Sequence, residues 1–181
     1  MKSNRRSFIT KSSIGILGAF VSTSFTKSSA KSYNKIIGSN DRINIAIQGL
    51  GRRLPGFTKA ISDRSNNVEL SYLCDVMKSQ RIKAAGVFSK ISSHNPILEN
   101  DIRKIFDDKR VDAVYMATPD HWHAPGACMA MASGKHVYLE KPCSHNLNEG
   151  ELLVSYQKHY NKIVQMGNQQ RSSIETNKII N

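Results

Sequence analysis

The feature that most constrains this chain is a regular exchange of two hydrophobic periods. Short continuous apolar runs alternate with stretches whose apolar residues recur at helical spacing. The runs are 43–48 (INIAIQ), 68–74 (VELSYLC), 97–98, 111–117 (VDAVYMA), 136–139 and 163–166. Helical patterns lie between them at 55–62, 78–88, 101–107 and 125–132, and a longer one opens at Asn146. Strands buried on both faces read as unbroken apolar runs, and parallel strands require helix-length crossovers. The pattern predicts an α/β fold built on a doubly wound parallel sheet of about six strands.

Within the helices, Phe57, Ala60 and Ile61 are expected to face inward, as are Ile102, Ile105 and Phe106, and Leu152, Leu153, Tyr156 and Tyr160. Gly134 is placed to end one helix, and Asn146 with Glu149 forms a capping box that opens the next.

The ends have a different character. Of the 26 Lys+Arg and 14 Asp+Glu in the 181 residues, five basic residues and no acidic ones fall in 1–30, leaving +7 of the net +12 for the rest. Lys2, Arg5 and Arg6 precede a short apolar stretch at 14–25, and Ser28, Ser29 and Ala30 supply small residues for cleavage. Residues 1–30 are therefore expected to be an export signal. The stretch NRRSFI (4–9) fits a twin-arginine signal, except that Asn4 stands where Ser or Thr is usual; an ordinary secretory signal is the alternative. Either route implies a bacterial exported protein, periplasmic after removal of the leader.

Residues 31–41 read as a linker, 42–171 as the domain, and 172–181 as the start of something further. With much of the positive charge in the leader, and no basic stripe interleaved with aromatics, a nucleic-acid partner is not expected. No apolar stretch reaches the roughly 18 residues of a membrane span. Cys74, Cys128 and Cys143 are odd in number and lack metal or redox spacing, which makes them small core residues rather than a disulfide framework.

Chemistry is expected where strands end. Gly49 and Gly51 follow the first strand, where glycines let backbone N–H groups approach a pyrophosphate at a helix N-terminus. The third glycine of G-x-G-x-x-G is replaced by Leu54, so the helix is expected to sit further out or to begin later, near Gly56. Alone, the two glycines also suit a plain tight turn. Asp75 ends the second strand 24 residues after Gly51, placed to accept ribose hydroxyls and to repel a 2′-phosphate, which favours NAD over NADP. Arg52 and Arg53 either pair with a phosphate or stay solvated.

After the fourth strand, Thr118, Pro119, Asp120, His121, Trp122 and His123 are expected to form a polar wall for a ligand; a turn whose Asp120 caps a helix is the plainer reading. The two histidines at i, i+2 lack a Cys or carboxylate at ligand spacing, so no metal is assigned to them. Glu140, Lys141 and Pro142 end the fifth strand. A desolvated lysine there can serve in proton transfer, while a surface lysine before a turn is the plainer reading.

Together, ATPDHWHA (117–124), SGKHVYLEKP (133–142) and VQMGNQQR (164–171) resemble the glucose-fructose oxidoreductase/inositol dehydrogenase family (Gfo/Idh/MocA). The resemblance is looser over 42–75. It implies an N-terminal NAD(P)-binding Rossmann domain followed by a C-terminal α/β domain, and hydride transfer between nicotinamide and a sugar or polyol. It further implies that Lys141 lies beside nicotinamide and substrate, and that Thr118, Pro119, Asp120, His121 and His123 contact the nicotinamide half. Lys141–Pro142 becomes a candidate cis bond.

The family's remaining acid–base residues lie in the second domain, and the sequence stops at Asn181 where that domain should begin. The expectation is therefore a cofactor-binding fragment with little dehydrogenase activity of its own, for which oligomers are not expected. An exported chain would carry its cofactor with it, which favours reactions that restore the cofactor's redox state; NAD-dependent glycoside hydrolysis is the second enzymatic reading. A non-catalytic nucleotide-binding module is the third.

Overall fold

The computed structural model describes residues 42–63, 66–92, 94–168 and 171. The expected leader (1–30), linker (31–41) and final segment (172–181) lie outside the described residues.

Six strands, β1 (Ile43–Gln48), β2 (Val68–Cys74), β3 (Ile97–Glu99), β4 (Ala113–Met116), β5 (His136–Glu140) and β6 (Val164–Gly167), form one sheet. Their order is β3-β2-β1-β4-β5-β6, and every adjacent pair is parallel. The chain builds outward from β1 in one direction, then crosses over to β4 and builds in the other. The expected doubly wound sheet is thus present, with its reversal point between β1 and β4.

Helices α1 (Leu54–Ser62) and α2 (Lys78–Phe88) pack with Ile45, Ile47, Leu70 and Leu73 on one face. Helices α3 (Ile102–Asp107), α4 (His123–Ala132) and α5 (Leu147–Tyr160) pack with Ala46, Tyr72, Val114, Val137 and Leu139 on the other. Alternate residues of β1 feed opposite cores, so it must be apolar throughout.

Two inward assignments fail. Ala60 is exposed in α1, and Leu54 takes the third inward position beside Phe57 and Ile61. In α5, Leu152 is 45% exposed, while Leu153 is buried and Tyr156 and Tyr160 pack at the core's edge. A helix touching the sheet along one narrow stripe has room for only one of two adjacent leucines.

The caps follow the sequence closely. Gly134 has φ +83°, the left-handed conformation that ends α4. Asn146 Oδ1 accepts the Glu149 N–H at 3.0 Å; the return bond runs from the His145 N–H to Glu149 Oε2 rather than from Asn146. Asp101 is the N-cap of α3, accepting the Arg103 N–H, rather than its first helical residue.

Candidate functional site

The carboxyl ends of β1, β2, β4 and β5 lie along one edge, and the predicted residues arrive there because each loop follows its strand directly. Gly49 is the tightest point. Its φ is +87°, and a Cβ built on it would lie 2.5 Å from the Ala117 carbonyl oxygen and 2.8 Å from the Thr118 nitrogen. Only glycine lets the β1 loop pass this close to the β4 loop. Gly51 differs: a Cβ there meets nothing within 4 Å. Among the described residues, the N–H groups of Gly51, Arg52 and Arg53 have no protein acceptor. A row of unclaimed donors before a helix, over open space, is suited to an anion.

Leu54 does not delay the helix. It is the first residue of α1 and only 4% exposed, so its side chain joins the core while the helix starts two residues before Gly56. The expectation of a late start is thereby corrected: apolar contact with Phe57 and Ile61 anchors the first turn in place of a glycine.

Asp75 sits at the end of β2 as predicted, with a further task. Its Oδ2 accepts the Leu50 N–H at 2.8 Å and its Oδ1 accepts the Met77 N–H at 2.8 Å. The carboxylate thus ties the glycine loop to the end of β2, and each oxygen keeps capacity for a further donor.

The two arginines separate. Arg52 is exposed, and a groove of about 430 Å³ runs from Gly51 and Arg52 to Lys83 and Val87 on α2. Arg53 turns instead to β5, where its Nε lies 2.6 Å from Glu140 Oε1. Glu140 is 6% exposed, and this hydrogen bond raises the Arg53 pKa above its ordinary value. Gly56 leaves room for the guanidinium, since a Cβ there would lie 2.9 Å from Arg53 Cζ. Arg53 thus pairs with Glu140, neither with a phosphate nor with solvent alone; an acid ending a buried strand, with an arginine in the opposite loop, is the signal the sequence offers for it.

Lys141 is exposed at the end of β5, and the Lys141–Pro142 bond is cis. Thr118 Oγ1 is buried without a protein partner, as is Gln48 Oε1 at the end of β1, a residue that the sequence reading did not single out. Asp120, His121 and Trp122 form an exposed 3-10 turn. His123 is only 1% exposed and packs beneath this turn, so it does not form part of the open wall as expected. An amphiphilic histidine at the first position of an apolar helix is drawn inward with that helix. Among the described residues, no three His, Cys, Asp or Glu stand together as a metal site.

The model of the oxidoreductase family with an NAD-binding Rossmann fold, GFO_IDH_MocA, matches residues 43–168. The chain belongs to this family. Among curated members of similar sequence, a glycosyl hydrolase family 109 protein from Solibacter usitatus is 30% identical over 155 residues, covering 82% of this chain and 35% of the relative. Family 109 protein 2 from Shewanella sp. strain ANA-3 is 26% identical over 118 residues, covering 63% and 26%.

Two crystal structures show the same fold. The WlbA dehydrogenase from Chromobacterium violaceum, in complex with NADH and UDP-GlcNAcA, is 20% identical with a TM-score of 0.68, covering 76% of this chain and 38% of that one. Myo-inositol 2-dehydrogenase from Lactobacillus plantarum is 23% identical with a TM-score of 0.65, covering 77% and 41%. The chain thus spans roughly a quarter to two fifths of the length of these Gfo/Idh/MocA proteins.

The residues present fit a dinucleotide. Gly49 allows the close passage, the Gly51–Arg53 N–H groups are free, and the buried Thr118 hydroxyl lacks a protein partner.

Proposed function

We propose that this domain binds NAD(H) in preference to NADP(H) and presents it for hydride exchange with a sugar or polyol. The observation that carries the reading is the Asp75 carboxylate fastened to the glycine loop beside the free N–H groups. An anion at that point accepts the ribose hydroxyls and repels a 2′-phosphate. The pyrophosphate belongs over Gly51, with Arg52 near enough in sequence to add positive charge, and the nicotinamide half over Thr118, Pro119, Asp120, His121, Glu140, Lys141 and Pro142.

When bound, the cofactor supplies a hydride acceptor. Oxidation of a secondary alcohol then breaks one C–H and one O–H bond, and the proton needs a receiver; Lys141 is the group assigned to it, a role that requires bound substrate to cover its exposed amine. The test is titration calorimetry of the purified chain with NADH and NADPH, followed by NADH absorbance with a panel of sugars and polyols. Tighter NADPH binding would show that Arg52 outweighs Asp75. With Lys141 exposed, little turnover is expected, and turnover that persists in Lys141→Ala would remove the assigned proton acceptor.

The family 109 relatives support a second reading, in which transient oxidation of a sugar precedes glycoside cleavage and the cofactor ends as it began. Release of nitrophenol from a nitrophenyl glycoside, with NAD required but no net NADH formed, distinguishes it.

We also infer export by the twin-arginine route, supported by Arg5 and Arg6 ahead of the apolar stretch. Replacing both with lysine preserves charge and should stop export; unchanged export would favour the ordinary secretory route.

A further inference from the structure

We propose that His123 is a positioning residue for the Lys141 loop rather than a contact for the cofactor. The inference rests on the reading of Lys141 given above. His123 opens α4 and is buried to 1% exposure. Its Nδ1 makes a short hydrogen bond to the carbonyl oxygen of Pro142, 19 residues away on the β5 loop. A carbonyl can only accept, so Nδ1 carries the proton, and in the neutral ring Nε2 is left as a bare acceptor. Nε2 is buried and has no protein partner.

The backbone of Lys141 is therefore held from both sides. On one side its N–H reaches Glu140 Oε2 at 3.4 Å, and Glu140 is itself held by Arg53 at the start of α1. On the other, the next residue's carbonyl is held by His123. The exposed lysine side chain has a long flexible stem, and fixing its backbone on both sides limits where the amine can travel. The glycine loop, the β4 loop and the β5 loop are thereby joined at the residue assigned to proton transfer.

The Nδ1–H tautomer can be read directly from long-range 1H–15N correlations of the imidazole. His123→Leu removes the donor, whereas His123→Asn retains an N–H close to the place of Nδ1. The expected results are an Nδ1–H ring in the unmutated chain and displaced amide resonances of Lys141 and Cys143 in His123→Leu, largely restored in His123→Asn. NADH affinity should fall about tenfold in His123→Leu, the effect of losing one buried hydrogen bond, while affinity for ADP-ribose, which lacks nicotinamide, stays constant.

An Nε2–H tautomer, or amides of Lys141 and Cys143 that do not move, would overturn the inference. So would equal losses of NADH and ADP-ribose affinity, because a general loosening of the fold weakens both. The resonance measurements stand on the chain alone: failure of the unmutated chain to bind either nucleotide, with those shifts as expected, would count against the proposed function and leave this inference supported.

Discussion

Substituting alanine at Gly49 and at Gly51 separates fold from binding, because the two glycines face different surroundings. At Gly49, φ +87° alone costs an L-residue about 1–2 kcal/mol. The new methyl would also lie 2.5 Å from the Ala117 oxygen and 2.6 Å from its carbonyl carbon. Those atoms are backbone and cannot rotate away, since the Ala117 N–H is bonded to the Gln48 carbonyl at 2.8 Å. Relief requires the ends of β1 and β4 to part where Gln48 pairs with Met116. A total of about 3 kcal/mol is expected, lowering Tm by about 10 °C for a domain of this size.

At Gly51 a methyl meets nothing within 4 Å and no left-handed backbone is involved, so stability should change by less than about 0.5 kcal/mol. The methyl would occupy space over the free N–H row, and NADH affinity should fall about tenfold or more. Scanning calorimetry gives the first quantity and titration calorimetry the second. The reasoning is refuted if Gly49→Ala melts with the parent, or if Gly51→Ala either melts as low as Gly49→Ala or binds NADH normally.

Arg53→Met leaves the buried Glu140 carboxylate without its guanidinium. It should cost about 2–3 kcal/mol in denaturant unfolding, less than a fully buried pair because Arg53 is 40% exposed; a loss below about 0.5 kcal/mol would show the pair to be energetically idle. Acid should unfold the domain partly through three carboxylates whose pKa values are held down: Asp101 at about 2 by Arg103, Asp108 by Arg110, and Glu99 by the Asn100 N–H. The folded chain then binds fewer protons than the unfolded one, so their contribution is present above the ordinary values of 3.8 and 4.5 and is lost as pH falls through the depressed ones. Replacing Asp101 and Asp108 with Asn should flatten the melting profile below about pH 5, and an unchanged profile would contradict this. Burial pushes the Cys74 thiol up to about 12, and Cys128 is also buried, whereas Cys143 is partly exposed. A thiol reagent should therefore modify Cys143 first, and rapid labelling in Cys143→Ser would refute that order.

The fold was legible because each strand carries its own termination signal. β1 and β2 match their apolar runs residue for residue, and the reversal between β1 and β4 follows from parallel strands joined by helices. β4 is shorter than its run: Val111 is buried, yet the ladder includes only Ala113–Met116, because burial does not require pairing.

At the site, spacing located Gly49, Gly51, Asp75 and Lys141 on one edge, since residues that follow parallel strands must emerge there. It could not assign hydrogen-bond partners. Asp75 reads as a ribose ligand, and its hold on Leu50 N–H depends on a loop conformation that spacing does not encode. His123 and Arg53 were misjudged or left open for the same reason: whether a polar side chain near a strand end faces solvent or a neighbouring loop is decided by tertiary packing.

The most direct test is calorimetric titration of the unmutated chain and of Asp75→Ala with NADH and NADPH. Because Asp75 also holds the glycine loop, the preference between the two nucleotides is the informative quantity, not the affinity alone. One NADH per chain, bound more tightly than NADPH, with that preference narrowed in Asp75→Ala, is the predicted result. Failure to bind NADH, or a preference for NADPH in the unmutated chain, would contradict the assignment of this edge as an NAD site.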